Sequence, residues 1–277
     1  MSSKKWEKFS PETIERLFTA VEEDDKLVES ASLPTFIELR CSTDDIRHYY
    51  ALCLQFWEDG FKREDLLDLI NHVLQGNVLS EKERLQYKYI RARYKHLRFA
   101  QRLYSKKHES NFIFRQTTVF LGHFQDAFRN HNEKNIKIYG RLLNVILSAP
   151  VWSVVRYCLR HTVLDDDHGF IQYRQQQIRK LQEAIANPKL TGDEFHDVRK
   201  IVSQQVSYYD TMRSLDPGNL DACQLSGFLS NINGLMGDRH DEMVADKLSG
   251  KKSYSESSQM ANNIRQPIEM FVTRYPL

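Results

Sequence analysis

Six cations fall on one line of one helical segment: Arg84, Lys88, Arg91, Lys95, Arg98 and Arg102, at spacings of 4, 3, 4, 3 and 4. Those spacings return to one side of an α-helix. The carboxylates of the segment, Glu81 and Glu83, stand only in its first turn. Like charges at this spacing repel by roughly a few tenths of a kcal/mol per pair. A line of six therefore calls for compensation, from the acids of another helix or from a polyanion. Arg offers phosphate a planar fork of donors and Lys a point charge. The chemistry implied is capture of regularly spaced phosphates, with no bond made or broken. Arg115, Arg129, Lys134, Lys137, Arg141, Arg156 and Arg160 are further bases that could join. The competing reading is a solvated face salt-bridged to Glu22, Glu23, Asp24 and Asp25. Nucleic acid is the rival polyanion, because a straight line of cations suits any regular phosphate chain, although no nucleic-acid-binding signature is present.

Other constellations carry less. His196-Asp197 and His240-Asp241 are His-Asp dyads of the kind a helical metal-dependent phosphohydrolase uses, with His, His-Asp and Asp converging on a cation. Neighbours on a helix diverge by about 100°, so a single dyad does not build that site. Asp165-Asp166-Asp167-His168 reads as helix capping rather than a metal site. There is no phosphate-binding glycine loop, no nucleophile elbow and no H-E-x-x-H. We therefore expect no catalytic residue, no bound metal and no cofactor. A helical protein-interaction module without a polyanion ligand is the alternative, and a metal-dependent phosphohydrolase of the HD type the weaker one.

The elements that must position these residues are helical. The chain has 277 residues with only 11 Gly and 7 Pro, which favours long helices over hairpins. Ser10-Pro11 starts a first helix, expected to run to about Glu29. Thr43-Asp44-Asp45 opens a second and Arg63 to Leu74 forms a third, with Leu66, Leu69, Ile70 and Val73 as its apolar face. These three read as one N-terminal unit of unknown role, residues 1–78. Ser80-Glu81-Lys82-Glu83 is a capping box that starts the cationic helix. Further helices follow from about Asn111, Glu133, Val151, Asp165, Thr191, Leu220 and Ser255, and almost no strand is expected. The net charge of +2 names no partner. Cys41, Cys53, Cys158 and Cys223 form no C-x-x-C pair and read as free thiols of a reducing compartment, which places the expected location in the cytoplasm. The longest apolar run, Leu142 to Val155, is broken by Asn144, Ser148, Pro150 and Ser153, so no membrane insertion is expected.

An internal repeat is legible. Tyr87, Ile90, Tyr94, Leu97 and Tyr104 form one apolar stripe, and 108 residues on stand Phe195, Val198, Val202, Gln205 and Met212. Only Gln205 breaks the match, and Arg91 falls on Arg199. Each helix is followed by one with a shared apolar-apolar-Gly-x-x-polar-Asp pattern, Phe120 to Asp126 and Leu235 to Asp241. A Gly inside a helix costs roughly 1 kcal/mol against Ala and is tolerated where another chain segment must come close. A duplicated bundle needs that approach twice.

Phe195-His196-Asp197-Val198-Arg199-Lys200 and Met236 to Val244 resemble signatures of the CHAD family, the conserved histidine α-helical domain. The resemblance spans roughly Ser80 to Leu248. It implies a two-fold repeated helical bundle that binds inorganic polyphosphate through a basic surface or pore. Carried over, His196, Arg199 and Lys200 match the second motif, and Arg91, Lys95 and Arg98 the first. Lys88 stands where the family has its first His, and Ser203 to Val206 where it usually carries more Arg. The expectation is thus an all-α, two-fold repeated antiparallel helical bundle over 79–277, with residues 1–78 as a helical extension. Its polyanion site is Lys88, Arg91, Lys95, Arg98, Arg102, His196, Arg199 and Lys200.

Overall fold

The computed structural model describes residues 6–23 and 32–277. Eleven helices are found among them: α1 (Pro11–Glu23), α2 (Thr43–Glu58), α3 (Arg63–Leu74), α4 (Glu81–Tyr104), α5 (Phe112–Arg129), α6 (Glu133–Ile146), α7 (Ala149–Arg160), α8 (Asp167–Ala186), α9 (Gly192–Leu215), α10 (Leu220–Leu248) and α11 (Asn262–Arg274). The chain is an all-α helical bundle protein. In keeping with the expectation of almost no strand, the only strands among the described residues are Lys189–Leu190 (β1) and Ser258–Gln259 (β2), which pair antiparallel. Two residues per strand are too few for an alternating pattern to show in sequence. This pairing also delays the last helix, expected from Ser255, to Asn262. Asp24, Asp25 and the expected end of the first helix near Glu29 lie outside the described residues.

Two compact units form, one from the described residues of Met1–Ser10 with Asp44–Asp165, the other from those of Pro11–Thr43 with Asp166–Leu277. The first three helices are thereby divided: α2 and α3 join α4 to α7, whereas α1 packs on α9. Helix α1 is held by side chains rather than by its place in the chain. Arg16 Nε donates to the Ser214 carbonyl at 3.0 Å, and Arg213 pairs with Glu23 at 3.0 Å.

In the first unit, Trp57 of α2 is fully buried, with ring centroids of Tyr94, Phe114 and Trp152 at 5.6, 5.4 and 5.0 Å. The expected face of α3, Leu66, Leu69, Ile70 and Val73, is buried. Two buried hydroxyls tie elements together: Tyr50 donates to the Leu159 carbonyl and Tyr87 to the Leu121 carbonyl, both at 2.9 Å. Glu58, only 6% exposed, receives Arg160 at 2.7 Å and Arg156 at 3.4 Å. No single helix among the described residues is long and apolar enough to cross a membrane. Helices α6 and α7 reach that length and composition only together, across a 67° bend.

In the second unit, α9 is buried on every side from Val202 to Thr211, wedged among α1, α8 and α10. Full burial explains why its apolar stripe looks blurred in sequence: a helix enclosed all round needs no polar face. Several of its polar members are paired internally. Asp210 accepts from Ser226 and pairs with Arg213, and Ser203 donates to Asn233 at 2.6 Å. All four cysteines are free thiols, Cys41 and Cys53 buried and the other two half-buried.

Candidate polyanion-binding face

Helix α4 begins where its capping box requires. The Ser80 side chain accepts from the Glu83 amide, and Glu83 accepts in turn from the Ser80 amide. With Tyr87, Ile90, Tyr94, Leu97 and Tyr104 turned into the core, the cationic line is driven toward the surface. Arg84, Lys88 and Lys95 are exposed; Arg91, Arg98 and Arg102 are half-buried.

These cations do not share one environment. Arg91 is a structural member of the bundle: its Nη1 donates to Gln125 at 2.9 Å, and its guanidinium lies over Gly122. Lys88 and Lys95 hold their ammonium groups 5.8 and 5.7 Å from the ring centroids of Tyr89 and Phe99. Arg84 lines a cavity of about 590 Å³ floored by Val73, Leu74, Phe128 and Ile136.

Arg98 and Arg102 differ from the others. Among the described residues no carboxylate pairs with either, and the Nε of Arg98 is buried without a hydrogen-bond partner. Arg115, exposed on α5, adds a third guanidinium. Burial first, and then the charges of Arg102 and Arg115, push the Arg98 guanidinium below its ordinary range. A carboxylate that the fold brings to this end of α4 is already engaged: buried Asp165, whose amide donates to the Tyr104 carbonyl at 2.9 Å, binds Lys106 at 2.7 Å and His108 at 3.0 Å. Asp166, not Asp165, caps α8 by accepting from the Gly169 amide. Sequence reading ranked Arg115 only among further bases, because its closeness to Arg98 depends on how α5 packs on α4.

In the second unit the expected residues are largely committed. Lys200 pairs with Asp197 at 2.8 Å. Arg199 lies over Gly237, its Nη2 2.9 Å from where a Cβ there would stand. The His196 and His240 rings lie with centroids 5.0 Å apart, tilted by 31°, and His240 shares a 2.9 Å hydrogen bond with the Tyr254 hydroxyl. Burial, reinforced by Lys200, His240 and Arg199, pulls His196 down to about 4, so it is neutral at pH 7. A neutral imidazole can donate a hydrogen bond to an anion but brings no charge. Among the described residues no three His, Cys, Asp or Glu side chains converge as metal ligands would.

One residue unmarked in sequence stands out here. Arg174 of α8 is fully buried, and Gln205, the single break in the second apolar stripe, accepts from its Nη2 at 2.7 Å. The break is thus a polar contact made inside the core. Compared with protein-family models, curated proteins and solved structures, the chain matches none.

Proposed function

We propose that the chain is a non-enzymatic binder of a polyanion, inorganic polyphosphate first among them, through Lys95, Arg98 and Arg102 of α4 with Arg115 of α5. The carrying observation is the Nε of Arg98, buried with no hydrogen-bond partner among the described residues and under the like charges of Arg102 and Arg115, with no carboxylate among those residues ion-paired to any of the three. Three guanidiniums held together at a cost are relieved by an anion with several charged oxygens. The resemblance to CHAD signatures supports polyphosphate over other polyanions. Lys88 lies on the same line, whereas Arg91 acts chiefly by holding α4 to α5.

The same reading takes α4–α5 and α9–α10 as two copies of one helical pair. Three local features support it: matched capping boxes at Ser80 and Thr191, stripes buried at equivalent positions except the half-buried Met212, and an arginine lying over a glycine of the following helix in each. In the second copy the cations are neutralised or turned inward, so the first copy supplies the binding face.

The test is a titration of the full chain with long-chain polyphosphate and with single-stranded nucleic acid, at two salt concentrations. Polyphosphate affinity should fall steeply as salt rises, in proportion to the contacts made. Reversal of Arg98, Arg102 and Arg115 to Glu should abolish it, while reversal of Arg179, Lys180 and Lys189, exposed on other elements, should not. Absence of binding at low salt overturns the proposal, and tighter binding of nucleic acid replaces the ligand.

One observation favours an interaction module instead. Ile138, Leu142 and Val145 of α6 and Val154 and Tyr157 of α7 are large apolar side chains left exposed. An association that survives high salt and is lost on Val145→Glu would support that second reading.

A further inference from the structure

Arg174 is 0% exposed, and no carboxylate among the described residues pairs with it. Its Nη2 donates to Gln205 Oε1 at 2.7 Å and to the Tyr209 hydroxyl at 3.2 Å. Its Cζ lies 3.7 Å from the ring centroid of Tyr208 and 5.3, 5.6 and 5.7 Å from those of Tyr209, Tyr275 and Phe170. Aromatic faces attract a cation, but they supply no full negative charge and no in-plane acceptor. Among the described residues the remaining guanidinium nitrogens, Nε and Nη1, are buried without a hydrogen-bond partner, as are Gln205 Nε2 and the Tyr275 hydroxyl. Every one of these atoms can donate. The site has an excess of donors, one positive charge and no carboxylate among its described neighbours.

An arginine does not escape this position by losing its proton. A buried ion without a counter-charge is among the costliest arrangements a core can hold. Tyrosine ionisation is one conceivable remedy. Burial opposes it, pushing the Tyr275 hydroxyl far above its ordinary range despite the nearby guanidinium.

We propose that the second unit holds a small monovalent anion of chloride size, bound at the unpartnered guanidinium nitrogens of Arg174, with Gln205 and Tyr275 as the further donors at hand. One buried positive charge enclosed by the rings of Phe170, Tyr208, Tyr209 and Tyr275 suits a single negative charge, which makes this site distinct in ligand from the face of α4 proposed above. Its place in the fold gives it a structural role: Arg174 on α8, Gln205 and Tyr209 on α9, and Tyr275 just after α11 are the groups whose relative positions the anion would lock.

The full chain should be unfolded by denaturant at rising chloride, with gluconate keeping ionic strength constant. Above the dissociation constant, the unfolding equilibrium constant should fall about tenfold per tenfold rise in chloride. Arg174→Met should remove that dependence, and Tyr275→Phe should weaken it. If Arg174→Met does not fold, crystals of the unaltered protein grown in bromide decide: an anomalous peak within hydrogen-bonding distance of Arg174 supports the site. Equal stability in chloride and gluconate overturns it, as does a bromide-free site filled by water, or the ultraviolet band of a tyrosinate at neutral pH.

Discussion

Arg199 lies across Gly237, its Nη2 2.9 Å from the point a Cβ on that glycine would occupy. Arg91 holds the same relation to Gly122, at 3.3 Å. In both cases the glycine opens a shallow seat on the following helix, and a guanidinium from the preceding one rests in it. These arginines therefore belong to helix pairing before they belong to ligand binding, which separates them from Arg98 and Arg102 on the same kind of surface.

Single alanine substitutions should expose that separation. Arg91→Ala loses the Gln125 hydrogen bond and its packing over Gly122, and should cost about 1–2 kcal/mol. Arg102→Ala removes a cation with like-charged neighbours and no carboxylate among the described residues. It should change stability by less than about 0.5 kcal/mol, with any change upward at low salt. Urea unfolding of both variants checks this; equal losses would mean that Arg102 is structural.

Two helical glycines should respond to alanine with opposite signs. At Gly140 of α6 a Cβ would meet Leu74 Cδ2 at 2.7 Å and Cγ at 2.8 Å. The branch point of a packed leucine cannot swing aside as a chain end can, so Gly140→Ala should cost about 1–3 kcal/mol. At Gly227 of α10 nothing lies within 4 Å, and Gly227→Ala should stabilise by about 1 kcal/mol through helix propensity. Thermal unfolding midpoints moving in the same direction would contradict the packing of α3 on α6.

Stability should fall on mild acidification. Burial, and then Lys95 and Arg93, pull His96 down to about 3, from 6.5. His196 is pulled down to about 4. Between the ordinary and the folded values the unfolded chain binds the extra proton, so stability is full above pH 6.5 and is lost as pH falls toward these lower values. The His96 contribution has a slope of at most about 1.4 kcal/mol per pH unit. The window just below pH 6.5, before carboxylates titrate, is the cleanest to read. His96→Gln should flatten the slope there; an unchanged slope would show that His96 is charged in the folded state.

Glu58 should be a sensitive carboxylate of the first unit. It is 6% exposed and receives both Arg156 and Arg160 from α7. Glu58→Gln keeps the shape but leaves two guanidiniums facing a neutral amide, and should cost about 1–3 kcal/mol. Double-mutant cycles with Arg160→Met should show positive coupling. Additive effects would mean that solvent already screens the pair.

The sequence by itself determined what local physics controls. Helical class follows from scarce Gly and Pro, and the starts of α4 and α9 follow from capping boxes confined to four residues each. The face of α3 and the stripe of α4 follow from periodicity alone. Only the tertiary structure decided which cations were spoken for. Arg91, Lys95 and Arg98 share one line on a helix, yet one is bonded to α5, one lies by Phe99 and one is crowded by Arg115. Charge spacing along a helix cannot report what approaches from another. The same holds for the division of α1 from α2 and α3, which rests on contacts with α9 nearly 200 residues away, such as that between Arg16 and Ser214. It holds most of all for Arg174. In sequence it is one more arginine on an amphipathic helix, and only the closure of α8, α9 and α11 around it turns it into a buried, unbalanced charge.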